Sequence, residues 1–135
     1  MHLELRCRLC RRPIRALASV QRGYGGECWS KICHYHEAKQ GIRHRGHLEK
    51  AQQLTTNQIR RGIKSFRQQI ALHQDKIRDP QTYVQQWDIL NPIEKDRLVG
   101  KWEKDVLRLR TQHDIWYVEL KQREAVDYDT GTAPV

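Results

Sequence analysis

A chain of 135 residues with 38% apolar residues, one Phe and one Met can build one domain, or a tiny metal module joined to a thin helical core of Leu, Ile, Val and Trp. No stretch approaches the roughly 18 apolar residues of a membrane span, so a soluble chain is expected. The formal charge of +9 is unevenly spread: residues 1 to 78 carry 17 Lys and Arg against 5 Asp and Glu, a net of +12, whereas residues 79 to 135 carry 8 against 11, a net of −3.

All four cysteines fall in one basic segment, CRLCRRPIRALASVQRGYGGECWSKIC, from Cys7 to Cys33. Cys7-x2-Cys10 offers two thiolates from one tight turn, and Cys28 and Cys33 return across a 17-residue loop, a pattern suited to tetrahedral zinc. The expectation is a small N-terminal zinc knuckle. The x4 spacing between Cys28 and Cys33 departs from the usual x2 and leaves His34 and His36 as competing ligands. Residues five apart on a helix lie about 140° apart around its axis, so both cysteines share a metal only if Cys28 precedes or opens the helix. Gly23, Gly25 and Gly26 allow a turn that delivers Cys28 at a helix start. The expected ligands are Cys7, Cys10, Cys28 and Cys33, with His36 and then His34 behind Cys33. Disulfides or unpaired structural thiols are the alternative. Met1 to Arg6 contains a basic residue and no apolar run resembling a signal peptide, so a cytoplasmic location and reduced thiols are expected.

CRLCRRPI, Ser19 and RGYGGECWSK from Arg22 to Lys31 together resemble a small zinc-knuckle domain of unknown function found in bacteria and phages. That family reads CxxC-GRPL, a serine, then a GxGPxCxxK-type turn. The resemblance covers about residues 5 to 33 and implies Cys7, Cys10 and Cys28 as zinc ligands. Arg11 stands where the family favours glycine, and Gly26 where it favours proline. The family's occurrence on phages and other mobile elements adds a protein-docking role to the expectations.

Arg6, Arg8, Arg11, Arg12 and Arg15 bracket the first cysteine pair. Guanidinium forks bind phosphate bidentately and stack on bases, although they would also offset the negative charge of a thiolate-rich metal site. Tyr24 and Trp29 flank the glycine turn, where they would stack an exposed base or cover the metal core. A nucleic-acid contact is therefore assigned to Arg6, Arg8, Arg11, Arg12, Arg15, Arg22, Trp29, Arg43, Arg45 and Arg61. A helix is expected from Glu27 to Gln40, ended by Gly41, and residues 41 to 54 read as a basic connector carrying His44 and His47. Histidines in this number raise a metal-nuclease reading. Only Glu37 and Glu49 lie among them, whereas two-metal hydrolysis wants several carboxylates.

Thr55-x-x-Gln58 is a capping box, followed by Ile59, Ile63, Phe66, Ile70 and Ile77 at alternating steps, with His73 filling the remaining seam position. This predicts a helix to about Arg78, stopped by Asp79-Pro80. Tyr83, Val84, Trp87 and Leu90 predict one short amphipathic helix. Asn91-Pro92 with Glu94 starts the longest one. Its seam is Val99, Trp102, Val106, Leu109, His113, Trp116 and Leu120, so it should reach about Arg123 and span roughly 45 Å. Arg60, Lys64 and Arg67 form a basic ridge beside the first seam, which either tracks a phosphate backbone or pairs with Asp96, Glu103, Asp105 and Glu119 of the facing helix.

The expected fold is mainly α: a zinc-binding module at 1–40, the connector at 41–54, an antiparallel helical hairpin or three-helix bundle at 55–125, and a flexible tail at 126–135. No Walker loop, dinucleotide fingerprint, nucleophile elbow or kinase motif is present. The expected function is non-enzymatic: zinc-dependent folding with nucleic-acid binding, DNA or RNA, through the basic half. The alternative is a small adaptor, subunit or inhibitor docking on a protein of a nucleoprotein complex. Neither reading includes a membrane or a small-molecule substrate.

Overall fold

A computed structural model describes residues 5–129 of the chain, which are mainly helical. The order is α1 (Leu17–Arg22), α2 (Gly26–Lys39), α3 (Arg45–Gln53), α4 (Thr56–Arg78), α5 (Pro80–Tyr83), a 3-10 turn at Trp87–Ile89 and α6 (Pro92–Asp129). No described helix is long and apolar enough to cross a membrane.

The long helices begin where local chemistry places them. Thr55 Oγ1 accepts from the Gln58 amide at 3.2 Å, and Gln58 Oε1 accepts from the Thr55 amide at 2.9 Å. Asn91 and Glu94 repeat this exchange at the start of α6. Each pair satisfies two amides that the first helical turn leaves without partners.

Three expectations are corrected. Residues 41–54 contain α3, begun at His44 in the left-handed region, rather than a plain connector. The expected short helix around Tyr83 to Leu90 is broken into α5 and the 3-10 turn, because Val84 leaves helical geometry at φ −121° and ψ 108°. Helix α6 runs on to Asp129, so the tail expected from 126 starts as helix. Residues 130–135, the rest of that tail, lie outside the described residues, as do 1–4.

The chain divides into two compact units, one of residues up to Arg60 together with those from Asp114, the other Arg61–His113. The division does not follow the expected one at residues 40 and 54, because the N-terminal module shares its core with the C-terminal part of α6. In that unit Cys7, Leu9, Cys28, Ile32, Tyr35, Ala38, Leu48, Ala51 and Ile59 are buried with Ile115, Trp116, Val118 and Leu120. The four buried positions on α6 cover about 200° of its circumference, so the helix is enclosed rather than merely amphipathic. The seam at steps of three and four included Trp116 and Leu120 but not Ile115 and Val118, both 0% exposed. Beside them on α6, polar side chains serve α2: His34 Nδ1 lies 3.1 Å from Asp114 Oδ2, and the single proton of the Tyr35 hydroxyl is shared between Glu119 Oε2 at 3.1 Å and Gln122 Oε1 at 3.0 Å. Burial, with the Glu119 carboxylate beside it, pushes the Tyr35 phenol up to about 12.

Arg123 holds α3. Its guanidinium donates to the carbonyls of Leu54 (2.8 Å), Ala51 (3.1 Å) and Gln52 (3.3 Å), while its Nε reaches Glu119 at 3.2 Å. Those carbonyls belong to the end of α3, where a helix has acceptors without internal partners and where positive charge is favoured.

In the second unit the chain reverses between α4 and α6. Ile63, Trp102, Val106 and Leu109 are buried, and Trp87 stacks on Trp102 with centroids 6.3 Å apart. The basic ridge is used within the protein at two of its three positions. Arg67 Nε lies 3.1 Å from His113 Nε2 in this unit, and Arg60 lies 3.6 Å from Glu124 in the first. The acidic partners expected for the ridge were Asp96, Glu103, Asp105 and Glu119; Asp105 instead pairs with Arg108 on its own helix.

Candidate metal centre

Two short structures meet to make the site. Residues 5–14 fold back on themselves: Arg6 bridges Pro13, the Cys7 amide donates to the Arg12 carbonyl at 2.9 Å, and the Arg11 amide donates to the Cys7 carbonyl at 3.0 Å. The turn carries Cys7 and Cys10. The expected 17-residue loop contains α1, which ends at Gly23 in the left-handed region (φ 79°) with its amide on the Ser19 carbonyl. The Arg8 amide then donates to the Gly23 carbonyl at 2.8 Å, fastening the cysteine turn to the glycine turn. Gly25 caps α2, so Cys28 sits in the first turn of that helix, as a shared metal requires.

The sulfurs of Cys7, Cys10 and Cys28 all lie within 4.8 Å of one another. Zinc with four ligands at tetrahedral angles and Zn–S bonds of about 2.3 Å separates its sulfurs by about 3.8 Å. A slight inward movement of the side chains closes the three thiols to that spacing, so the donor set fits a thiophilic ion. Its surroundings fit as well. Burial raises the Cys7 thiol, but the amides of Cys10, Gly25 and Leu9 and the Cys10 thiol act the other way and bring it down to about 7. Amides aimed at a sulfur stabilise the thiolate and orient it for a metal. Cys28 is pushed up to about 12 by burial and by the neighbouring Cys10 and Cys7 sulfurs.

Cys33, expected as the fourth ligand, does not join the three. It lies five residues after Cys28 inside the continuous helix α2, so the rotation of about 140° carries its side chain to another face. Neither histidine replaces it: His34 is turned to Asp114 and His36 is exposed beside the Tyr35 ring. Among the described residues the cluster is three thiols.

The arginines assigned to a nucleic-acid contact separate into groups. Arg6, Arg8, Arg11, Arg12 and Arg15 are all exposed around the cysteine turn, with Arg6 donating to the Arg11 carbonyl at 2.9 Å. Arg22 lies over the Trp29 ring at 5.6 Å, and Tyr24 is 5.9 Å from that ring, so the 37% exposed indole already has a cation on one face. Arg43 is exposed; Arg45 pairs with Glu49 at 2.9 Å. Arg61 is exposed and belongs to the other unit.

Arg11 has φ 65°. This is a left-handed turn for which glycine is the unstrained residue, and an L side chain there costs about 1–2 kcal/mol. Arg11→Gly should stabilise the protein by about 1 kcal/mol, less what the freer unfolded chain takes back. Urea unfolding of the two proteins, loaded with the same metal, measures the difference; a destabilised glycine variant would show that the Arg11 side chain, not the turn, dominates this position.

Compared with known proteins, the chain matches no family model, no curated protein and no solved structure.

Proposed function

We propose that this is a non-enzymatic, zinc-binding protein that binds nucleic acid through its basic N-terminal half. The observation that carries the reading is the cysteine turn itself: three clustered thiols, with five exposed arginines between residues 6 and 15 surrounding them. Thiolates select a soft or borderline ion, and zinc is the one that structural sites of this type hold. A zinc ion with three thiolates has a net negative charge that nearby guanidinium groups offset; five exceed that need and leave positive charge for phosphates. The resemblance to the knuckle domain of bacteria and phages supports the same ligands, Cys7, Cys10 and Cys28.

Phosphate contact has a quantitative signature. Affinity for a generic single-stranded oligonucleotide should fall with salt at a log–log slope of about −0.7 per neutralised phosphate, or about −0.9 on duplex DNA. Arg12→Glu with Arg15→Glu should lower affinity at least about tenfold at low salt, by loss of two contacts and gain of two repulsions, while metal content and helicity stay as they were. Arg8 is unsuited to this test because it packs against Gly23. Unchanged affinity in the double variant, or no salt dependence, would remove nucleic acid from the reading.

The second unit exposes apolar side chains suited to a protein partner. Ile89 is 80% exposed, Ile93 66% and Tyr83 43%, all between residues 83 and 93 of the second unit. Exposed apolar side chains of this kind suit an adaptor, subunit or inhibitor that docks on a protein of a nucleoprotein complex.

A further inference from the structure

A cavity of about 370 Å³ opens beside the cysteine turn, lined by Arg8, Leu9, Cys10 and Arg11 on one side and by Lys121, Glu124 and Ala125 of α6 on the other. Its volume is at the lower end of the range for small-ligand sites, roughly 300–1,000 Å³. That suits a single nucleotide rather than a groove for a polymer. Leu9 and Ala125 are its apolar lining, and Arg8, Arg11 and Lys121 its cationic residues.

The one carboxylate in the lining is already engaged. Glu124 accepts from Lys121 Nζ at 3.2 Å, and its other oxygen lies 3.6 Å from Arg60. Among the described residues no carboxylate pairs with Arg8 or Arg11. The cavity is therefore lined by two arginines without a carboxylate partner among the described residues, and a phosphomonoester, with about −1.5 to −2 charges at neutral pH, complements two such charges better than a diester with one.

The backbone supplies an independent argument. Arg11 keeps a left-handed conformation that disfavours every residue but glycine, and in that position it lines the cavity. Local strain retained where a simpler residue would relieve it points to a use for the side chain.

We propose that this cavity is a phosphomonoester site that seats a nucleotide, free or at the phosphorylated end of a strand. The proposal deepens the nucleic-acid reading, and the two fail separately. The test compares one single-stranded oligonucleotide carrying phosphate at its 5′ end, at its 3′ end or at neither, by fluorescence anisotropy on the metal-loaded full chain, with a nucleoside monophosphate and inorganic phosphate as competitors. One phosphorylated end should bind at least about tenfold more tightly than the unmodified strand, and the monophosphate should erase that preference. Arg11→Gly should abolish it although the turn is relaxed and the fold stabilised, which separates ligand loss from misfolding. Ala125→Trp, filling the cavity without changing charge, should do the same. Binding of the monophosphate alone, lost in Arg11→Gly, supports the cavity and removes the strand. Equal binding of all three strands overturns the cavity while the nucleic-acid reading stands, and no binding of any probe overturns both.

Discussion

Cys28→Ser should release the metal and unfold the N-terminal module, while Cys33→Ser should do neither. Three thiols within 4.8 Å are the candidate ligands the chain brings together, and Cys33 is on another face of α2. Metal analysis should find about one zinc per chain in the parent and in Cys33→Ser, and under a tenth of that in Cys28→Ser, because in small metal modules apparent binding free energies of about 10–16 kcal/mol are also folding free energies. Hydrogen exchange should show loss of protection from α1 through the start of α2, with Arg61–His113 retained, since that unit has its own core of Ile63, Trp102, Val106 and Leu109. With Cys28 at about 12 and Cys7 at about 7, the metal must displace protons from the thiols. Affinity should therefore rise with pH between about 6 and 8 and fall as protons compete at the lower end. Metal retained by Cys28→Ser, or lost from Cys33→Ser, would refute this ligand assignment.

Arg123→Met should cost about 3 kcal/mol, the largest effect expected for a residue outside the metal centre. It removes charge-assisted bonds to three carbonyls at the end of α3 and a contact with Glu119, and hydrogen bonds to charged groups contribute about 1.5–3 kcal/mol each when well formed. Water reaches part of the site and replaces some of that. Methionine keeps the apolar stem, so the change reports on the guanidinium rather than on packing. Arg45→Met is the control: its exposed pair with Glu49 should be worth less than about 0.5 kcal/mol. Urea unfolding of both variants decides the matter, and a loss below about 1 kcal/mol in Arg123→Met would mean that α3 holds its place by the burial of Leu48 and Ala51 alone.

Much of the helical layout was legible because its signals act over four residues or fewer. Thr55 and Gln58 cap each other whatever packs beside them, Pro92 fits a first helical turn, and Asp79-Pro80 ends a helix in any surroundings. The start of α2 was legible for the same reason, since Gly25 and Gly26 deliver Cys28 to a helix opening. Helix α3 gave no such signal. GIRHRGHLEK is rich in glycine and basic residues, and what holds α3 is the burial of Leu48 and Ala51 and a guanidinium from Arg123, about 70 residues later.

Local chemistry set where α4 and α6 begin, that Cys7 and Cys10 share one turn, and that Cys28 returns to them at a helix start, because capping, proline geometry and cysteine spacing are properties of neighbouring residues. The rest depended on packing between segments far apart in the chain. Cys33 was set apart by the continuity of α2, which carries it about 140° from Cys28. Ile115 and Val118 became core because the C-terminal part of α6 is surrounded within its unit, a condition that a single stripe of apolar positions does not express. Arg11 took a left-handed turn that its own preference opposes, because the hydrogen bonds linking residues 5 to 14 outweigh a local cost of about 1–2 kcal/mol.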